Sequence, residues 1–498
     1  MDTSRTSPPT TPPDQVVLTP LPSTPPPAGD DPLGFPGYRD RLAAARDGDP
    51  DAESLEVGTA TVGELEVVVA RGIFGFLGGS MGTTHGDRFA HAAAVALERR
   101  LPLLVVTSSG GARMQEGMRS LVQMSRASEG VRRLRAAGIP VIGHLTHPTT
   151  GGVNASYGSL ADVAVAEAGA TIGFAGPRVV EAFTGDPVGD DSHTAEVALT
   201  SGLVDATAAP GDALPWLTRA VRLLHPATRS GALPSTEHVD EPTIEHDAWD
   251  AVRRARRADR PSARDLLHEV FDEHLELRGD RAGTHDPAVV TAVARLGART
   301  VVVVGFDRRG VREGGRPGQA VAAGYRQLQR ALRLADRYGA PVVALVDTPG
   351  ADPSPASDRA GLATAIAETF VAMLSVSSPT VAVVTGEGGS GGALAIAATD
   401  RLLMQDDAVF EVIAPEGAAA ILHRDPTRAE EVAGQLAPTA SDLRRLGICD
   451  RTVPGPTTFD TATAAAALRA ELSATLTELE ADRDRLAARA ARYGPAPS

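Results

Sequence analysis

The chain has 498 residues and a formal net charge of −15, and 42% of its residues are hydrophobic. This length allows two or three domains. The acidic balance argues against general nucleic-acid binding, which needs a basic face, and no apolar run is long enough for a membrane span or a signal peptide. We therefore expect a globular cytoplasmic protein with neither a membrane nor a nucleic-acid partner.

Two residue types are nearly or wholly missing. The sequence contains no lysine, so all 48 basic residues are arginines, and Cys449 is the single cysteine. Without lysine, the chain cannot form a Schiff base to a carbonyl or pyridoxal cofactor, and biotin cannot be attached to it. One cysteine excludes an intrachain disulfide and a cysteine-cluster zinc site. We expect no bound metal.

The first half begins with a segment rich in Pro, Thr and Ser, residues 1–36, which is typical of a disordered tail. Apolar runs then alternate with helical periodicity, which predicts sheets covered by helical layers. The predicted elements are a short helix at 38–46, strands at 65–73 and 103–106, and a long amphipathic helix at 115–137.

A polar stretch without periodic apolar residues, 226–247, is predicted to be a linker. It divides an N-terminal domain, 37–225, from a C-terminal domain, 248–498. The second half repeats the alternation and closes with leucines at helical spacing between Thr461 and Arg492. Its predicted elements are strands at 301–306, 342–346 and 381–384 and helices at 320–338 and 359–374.

A glycine-rich stretch, Thr385–Ala397, follows the last of these strands. Five glycines between Gly386 and Gly392 argue against a strand or helix interior and predict a strand-to-helix turn. The unpaired N–H groups at a helix start can hold an oxyanion. The alternative is a tight turn that lets a helix pack closely on the sheet, and the motif alone does not decide between them.

A second copy of this pattern favours a function. Thr149–Gly158 is another glycine turn after an apolar run, and Ser108–Arg113 in the first half corresponds to Asp347–Ala351 in the second. Asp162 and Asp400 each precede a proline by the same interval. The chain thus contains an internal repeat of one αβ arrangement, which predicts one site built between two related halves.

Several long motifs, in order, resemble the carboxyltransferase component of acetyl-CoA carboxylase, with its β-like polypeptide fused before its α-like one. The resemblance runs from about Gly63 to about Pro454. The β-like motifs are Leu77–Gly82, Ser109–Gly117, Pro148–Gly152 and Ile172–Arg178, and the α-like motifs are Leu275–Arg281, Asp347–Ala351, Gly386–Ala395 and Ile413–Leu422.

The resemblance implies an α/β protein of two tandem crotonase-like ββα superhelix domains. It also implies carboxyl transfer from carboxybiotin, carried by a separate biotin carboxyl carrier protein that a biotin carboxylase loads, to acetyl-CoA or another short acyl-CoA. We expect a homo-oligomer, with the active-site cleft where a β-like half meets an α-like half. The chain departs from the family in lacking the four-cysteine zinc ribbon with which β-type chains often begin, so no zinc is expected.

This chemistry creates negative charge on two oxygens, the thioester oxygen of the enolate and the ureido oxygen of biotin, so two oxyanion holes are needed. The resemblance places the enolate hole at Gly110 and Gly111 and the biotin hole at Gly392 and Ala393. The ureido nitrogen can itself take the substrate proton, so no side-chain base is required. Substrate-binding positions are also expected at Gly78, Gly79, Ser80, Gly151, Gly152, Gly388, Gly389 and Gly391.

Side chains offer fewer candidates. His85, His144 and His147 are possible bases, although a lone histidine is more often scaffolding. An arginine cluster, comprising Arg253, Arg254, Arg256 and Arg257 with Arg260 close by, is predicted to bind the phosphates of CoA, because guanidinium pairs bidentately with phosphate. A solvated helix face or an interdomain ion-pair set explains it equally well.

Two other functions remain open for the whole chain. A biotin-independent decarboxylase of a malonyl thioester would use the same fold and the same enolate hole and would need no biotin protein. A catalytically idle relative would serve as a scaffold subunit, which the two complete glycine turns argue against.

Overall fold

The computed structural model describes residues 18–27, 31–189, 192–238, 244–456 and 461–494. The chain divides into two compact units, Met1–Ala227 and Thr228–Ser498. This division falls inside the predicted linker, 226–247. The parts of the predicted tail at 1–17 and 28–30 lie outside the described residues.

Unit 1, Met1–Ala227, is built on a seven-stranded sheet whose strands lie in chain order. The first three strands pair antiparallel, and each later strand pairs parallel with the one before it. The strands are β1 (Thr19–Pro20), β2 (Leu55–Val62), β3 (Leu65–Gly72), β4 (Leu103–Ser109), β5 (Val141–Thr149), β6 (Val163–Glu167) and β7 (Ala206–Ala208).

Helices cover this sheet, and the core lies between them and the strands. Phe89, Val131 and Leu134 are fully buried against the valines of β3 and β4, which form the near-continuous apolar runs typical of buried parallel strands. The helices are α1 (Tyr38–Ala45), α2 (Thr83–Arg99), α3 (Met118–Ala136), α4 (Gly151–Val153), α5 (Pro177–Thr184), α6 (Ala195–Thr200) and α7 (Leu214–Leu224).

Unit 2, Thr228–Ser498, contains a second sheet of the same kind, with the order β15-β13-β12-β11-β10-β9-β8 and β14 paired with the end of β12. These strands are β8 (Glu273–Glu276), β9 (Val289–Leu296), β10 (Arg299–Phe306), β11 (Val342–Thr348), β12 (Thr380–Gly389), β13 (Arg401–Gln405), β14 (Val409–Glu411) and β15 (Arg451–Val453). The first two pairings, β8 with β9 and β9 with β10, are antiparallel and the rest are parallel.

The helices of unit 2 confirm the predicted positions of the long helices but not their continuity. The predicted helix at 359–374 is divided at Gly361, whose φ is 81°, and the closing segment is divided after Ala481. The helices are α8 (Ala248–Ala255), α9 (Ala263–Val270), α10 (Ala322–Tyr338), α11 (Pro355–Arg359), α12 (Leu362–Ser375), α13 (Ser390–Ala397), α14 (Pro415–His423), α15 (Ala429–Leu436), α16 (Ala440–Arg445), α17 (Thr461–Ala481) and α18 (Arg485–Tyr493).

The aspartates that marked the sequence repeat play the same structural role in both units. Asp162 accepts a hydrogen bond from the N–H of Val141, the first residue of β5, at 2.9 Å. Asp400 accepts one from Thr380, the first residue of β12, at 2.8 Å. Each carboxylate thus satisfies a backbone donor at a strand start. The next strand in each unit is held in the same way. Asp205 accepts a hydrogen bond from the N–H of Ala164 at 2.8 Å, and Asp450 accepts one from the N–H of Leu402 at 2.6 Å.

Parts of the predicted tail and of the predicted linker make defined contacts with the rest of the protein. In the predicted tail, Thr19 and Pro20 pair antiparallel with β2, and Leu21 is buried. In the predicted linker, the segment 228–238 belongs to unit 2 and contacts α17, where Thr236 donates to the carbonyl of Ala470 at 2.9 Å and His238 lies 3.0 Å from Glu471. Composition predicted a disordered tail and a linker here, because it does not show that a polar segment can find partners in an existing sheet or helix.

No helix within the described ranges is both long and apolar enough to cross a membrane.

Candidate functional site

The glycine-rich stretch of unit 2 changes from strand to helix within a single residue, so it contains no multi-residue turn. β12 continues through Gly386, Gly388 and Gly389, and α13 begins at the next residue, Ser390, with no turn between them. The direction changes at Ser390 itself, whose φ of 62° lies in the left-handed region. The predicted change from strand to helix is present, but the expectation that these glycines lie outside a strand interior is wrong, because close neighbours require glycine within β12.

Those neighbours leave no room for side chains. A Cβ at Gly386 would overlap the carboxylate of Asp347, and a Cβ at Gly389 would overlap the backbone of Pro349. β12 can therefore lie directly against the loop after β11. As a result, the first turn of α13 is brought beside the loop that follows Pro349.

The start of α13 offers free hydrogen-bond donors. The first N–H groups of a helix have no acceptor within it, and the residue before α13, Gly389, has no side chain that could cap them. These donors belong to Gly391 and Gly392, both predicted site residues. Ala393, the other predicted donor of the biotin hole, comes one position later, where the N–H is the first that the helix itself satisfies.

Unit 1 has the same junction. β5 ends at Thr149, and the short helix α4 begins at Gly151, whose φ of 61° matches that of Ser390. Gly151 lies against Gly111, because a Cβ at Gly151 would approach the Gly111 Cα to 2.6 Å. The predicted positions Gly110, Gly111, Gly151 and Gly152 are thus brought together.

The loops after β4 and β11 also match. In each, a hydroxyl accepts the N–H of a glycine two residues later at 3.0 Å, Ser109 from Gly111 and Thr348 from Gly350. These two glycines have φ values of 119° and 125°, which only glycine adopts easily. The parallel pairs β4–β5 and β11–β12 shift register at this same point.

The donors predicted for the enolate hole have acceptors of their own. Gly110 donates to the carbonyl of Gly78 at 2.9 Å, and Gly111 donates to Ser109. Ala112, the next residue, is better placed to donate to a bound oxygen. Met81 donates to the carbonyl of Gly111 and accepts from the N–H of Arg113, on either side of Ala112. Because the backbone is extended, the N–H of Ala112 points away from Met81, and sequence reasoning missed this donor.

A buried charge network supports the loop at Gly78, Gly79 and Ser80. Arg113 donates to the Ser80 carbonyl at 2.9 Å and forms ion pairs with Glu53 and Glu116. Burial raises the pKa of the Glu53 carboxyl, but the hydrogen bond and charge of Arg113 outweigh it, so the pKa stays below its ordinary value. Arg113 belongs to a quoted motif, but Glu53 has no sequence signal.

Two of the three candidate bases are held by structural hydrogen bonds, and the third is buried near a carboxylate. His85 lies 2.9 Å from Ser54 Oγ and 3.0 Å from Tyr157 Oη. Burial, then the charge of Arg113, lowers its pKa to about 3, so it is neutral. His147 accepts the N–H of Thr171 at 3.1 Å, and His144 is buried, 3.8 Å from Glu167.

The arginine cluster on α8 and just after it is engaged in ion pairs. Arg256 lies 2.6 Å from both Glu387 and Glu416, and the fully buried Arg260 lies 2.8 Å from Asp407. These two arginines thus have structural partners, but the ion pairs lie within unit 2 and are not the interdomain set that was the alternative. The other three pair with nearby acids on the surface, Arg253 and Arg254 with Asp250 and Arg257 with Asp259.

Known proteins resemble this chain over most of its length. The family model described as acetyl co-enzyme A carboxylase carboxyltransferase-like matches residues 236–494. The acetyl-coenzyme A carboxylase carboxyl transferase subunits beta/alpha of Salinispora tropica are 46% identical, covering 86% of this chain and 78% of the relative. The protein of the same name from Saccharopolyspora erythraea is 42% identical, covering 92% and 82%.

Solved structures share the fold. A transcarboxylase 12S hexamer with methylmalonyl-coenzyme A and methylmalonic acid bound has a TM-score of 0.72 and 23% identity, covering 86% of this chain and 82% of the other. A single-chain, multi-domain long-chain acyl-CoA carboxylase has a TM-score of 0.69 and 19% identity, covering 89% and 44%. The expected α/β fold of tandem crotonase-like units is confirmed, and the chain belongs to the acetyl-CoA carboxylase carboxyltransferase family.

Proposed function

We propose that this protein is the carboxyltransferase component of an acyl-CoA carboxylase and that acetyl-CoA is its substrate. It would move a carboxyl group from carboxybiotin to the α-carbon of the thioester, giving malonyl-CoA. The observation that carries this proposal is the matched pair of strand-to-helix junctions, one in each unit, with backbone donors beside each. The names of the relatives at 46% and 42% identity support the choice of acetyl-CoA.

For the thioester, we assign the donors to unit 1. The N–H groups of Ala112 and Gly152 lie beside the Gly111–Gly151 contact and are the ones left to hold an oxygen there. An enolate oxygen gains charge as the α-proton leaves, and one preorganised donor is typically worth about 3–4 kcal/mol at such an oxygen. The earlier positions, Gly110 and Gly111, then shape the site through their own bonds.

For biotin, we assign the start of α13 in unit 2. Carboxybiotin, attached to a separate carrier protein, supplies the carboxyl group as CO₂ when it is bound. The residues fit its ureido oxygen, because Gly391 and Gly392 present N–H groups and a Cβ at Gly391 would meet nothing within 4 Å. Gly388 and Gly389 act by letting β12 approach the loop at Pro349.

The proposed partners follow from the absence of a residue to which biotin could be attached. With no lysine in the sequence, the chain needs a biotin carboxyl carrier protein and a biotin carboxylase that charges it with CO₂. We also propose a homo-oligomer. One related fold, transcarboxylase 12S, is a hexamer.

The test is the reverse reaction with purified protein. Malonyl-CoA and free biotin should give acetyl-CoA together with carboxylated biotin, and turnover should require biotin. Bicarbonate, ATP and acetyl-CoA should give no product until a biotinylated carrier and a biotin carboxylase are added. Decarboxylation of malonyl-CoA at full rate without biotin would instead assign the decarboxylase function, and no turnover under any condition would indicate a scaffold.

A further inference from the structure

A tyrosine hydroxyl is buried in unit 2 without a partner. Tyr325 lies in the first turns of α10 and is fully buried, with its ring packed against Phe306 at a centroid distance of 5.7 Å. Within the described part of the chain, its hydroxyl oxygen makes no hydrogen bond. An unsatisfied buried hydroxyl is costly, and such groups are rare in native proteins. This one therefore needs an explanation.

The hydroxyl lies at the start of α13. A Cβ built on Gly392 would lie 2.5 Å from Tyr325 Oη and 3.1 Å from the backbone nitrogen of Ala351. Gly392 is in the first turn of α13, whose N–H groups have no acceptor within the helix. Ala351 occupies the place in the loop after β11 that Ala112 occupies after β4. The hydroxyl and backbone donors of two elements thus converge around one point.

Unit 1 does not have this feature. A Cβ built on Gly152 would meet the methyl group of Met81 at 3.1 Å and the side chain of Met124 at 3.3 Å. Both fully buried tyrosines of that unit have partners: Tyr157 bonds to His85, and Tyr38 donates to Glu116 at 2.8 Å. The unpartnered hydroxyl is therefore a property of the unit 2 junction and not of the repeated plan.

We propose that the Tyr325 hydroxyl donates a hydrogen bond to the anionic oxygen held at the start of α13. The inference rests on the proposed function, in which this oxygen is the ureido oxygen of biotin. A hydroxyl bond to an oxyanion is short and charge-assisted, so it strengthens as negative charge develops. Tyr325 is then a catalytic residue in addition to the backbone donors.

The first experiment needs no turnover. The protein is made with 3-fluorotyrosine at its five tyrosines, and the fluorine resonances are followed while free biotin is added. The Tyr325 signal is assigned from Tyr325→Phe or, should that variant not fold, by elimination with Phe at the other four. It should shift with biotin, whereas the Tyr338 signal, from the far end of α10, should not. An unmoved Tyr325 signal at biotin concentrations that support turnover overturns the inference.

The second experiment measures the reaction. Tyr325→Phe should lower kcat for transfer from malonyl-CoA to biotin by roughly 10²-fold, with the KM for malonyl-CoA unchanged. Its unfolding temperature should equal or exceed that of wild type, because no bond within the protein is lost. Tyr338→Phe is the control and should keep full activity. A wild-type kcat in Tyr325→Phe contradicts the inference alone, whereas an inactive wild-type protein contradicts the proposed function.

Discussion

Glu411 is a single residue near the α13 junction whose pKa depends strongly on its surroundings. It lies at the end of β14, where it pairs with Gly389, and is 6% exposed. One oxygen of its carboxyl has no hydrogen-bond partner within the described residues. Burial, and then the negative charge of Glu387, raises the pKa of Glu411 to about 8, although Arg256 opposes the shift.

The sign of the effect on stability follows from this shift. The unfolded chain ionises Glu411 near pH 4.5, whereas the folded protein keeps the proton until about pH 8. Unfolding therefore releases a proton between these values, and stability from this group is present at low pH and lost as the pH rises to 8. In Glu411→Gln the side chain cannot ionise, so this loss of stability at high pH should not occur.

The prediction is checked by urea unfolding of both proteins at pH 5 and pH 8. The variant should be more stable than wild type at pH 8, with a smaller difference at pH 5. Glu430→Gln, an exposed change on α15, is the matched control and should follow wild type at both values. The same pH dependence in Glu411→Gln and wild type would show that Glu411 is ionised in the folded state.

At the scale of elements, apolar runs predicted the positions of the central strands and long helices, but not what happens where they meet. β12 was predicted to end at Val384, yet it continues through three glycines because Asp347, Pro349 and the ring of Phe410 exclude any side chain there. Likewise, the resemblance placed the enolate hole at Gly110 and Gly111, but which N–H groups remain free there depends on contacts with Gly78 and Met81, which lie distant in sequence.

The α13 start can be tested by adding one methyl group. In Gly392→Ala, the new Cβ would lie 2.5 Å from Tyr325 Oη and 3.1 Å from Ala351 N, so it would displace the Tyr325 hydroxyl from the start of α13, where we propose that it donates to the biotin oxygen. We expect kcat to fall by roughly 10²-fold or more. Gly434→Ala is the control, because its Cβ on α15 meets nothing within 4 Å. Full activity in Gly392→Ala would place the biotin oxygen elsewhere.

The arginines of α8 and its C-terminal end separate into two groups that mutation can distinguish. If Arg253 and Arg257 bind CoA phosphates, changing both to Gln should raise the KM for malonyl-CoA by roughly tenfold per guanidinium lost. A malonyl thioester without the adenosine diphosphate should be unaffected. Arg256→Gln should mainly lower the unfolding temperature, because Glu387 would lose its partner.

The matched control for the double variant is Arg132→Gln, which removes an exposed arginine paired with Glu129 in the same i,i+3 arrangement as Arg253 with Asp250. It should leave both KM values unchanged. Equal losses with the complete and the truncated thioester would assign the α8 arginines a structural role.

At the scale of the whole molecule, the repeat was predictable and its physical basis was not. Asp162 and Asp400 stood out by their equal spacing to a proline, but only the structure shows that each carboxylate holds the first N–H of a strand. Division into two related halves could be read from the sequence because both halves repeat the same order of strands and glycine turns. The contacts of the segment 228–238 could not be read from the sequence, because its partners lie in a helix more than two hundred residues later.

The short pairing of Thr19 and Pro20 with β2 has a consequence for how the protein behaves in concentrated solution. β2 lies next to the outermost strand of its sheet, and an uncovered strand edge is a template for joining other chains. The approach is close, because a Cβ at Gly58 would lie 2.7 Å from both Leu18 and Thr19. Pro20 and the prolines after it have no N–H to extend the ladder. The segment therefore covers the edge of β2. Its loss should make the protein aggregate more readily, although it removes none of the proposed catalytic groups.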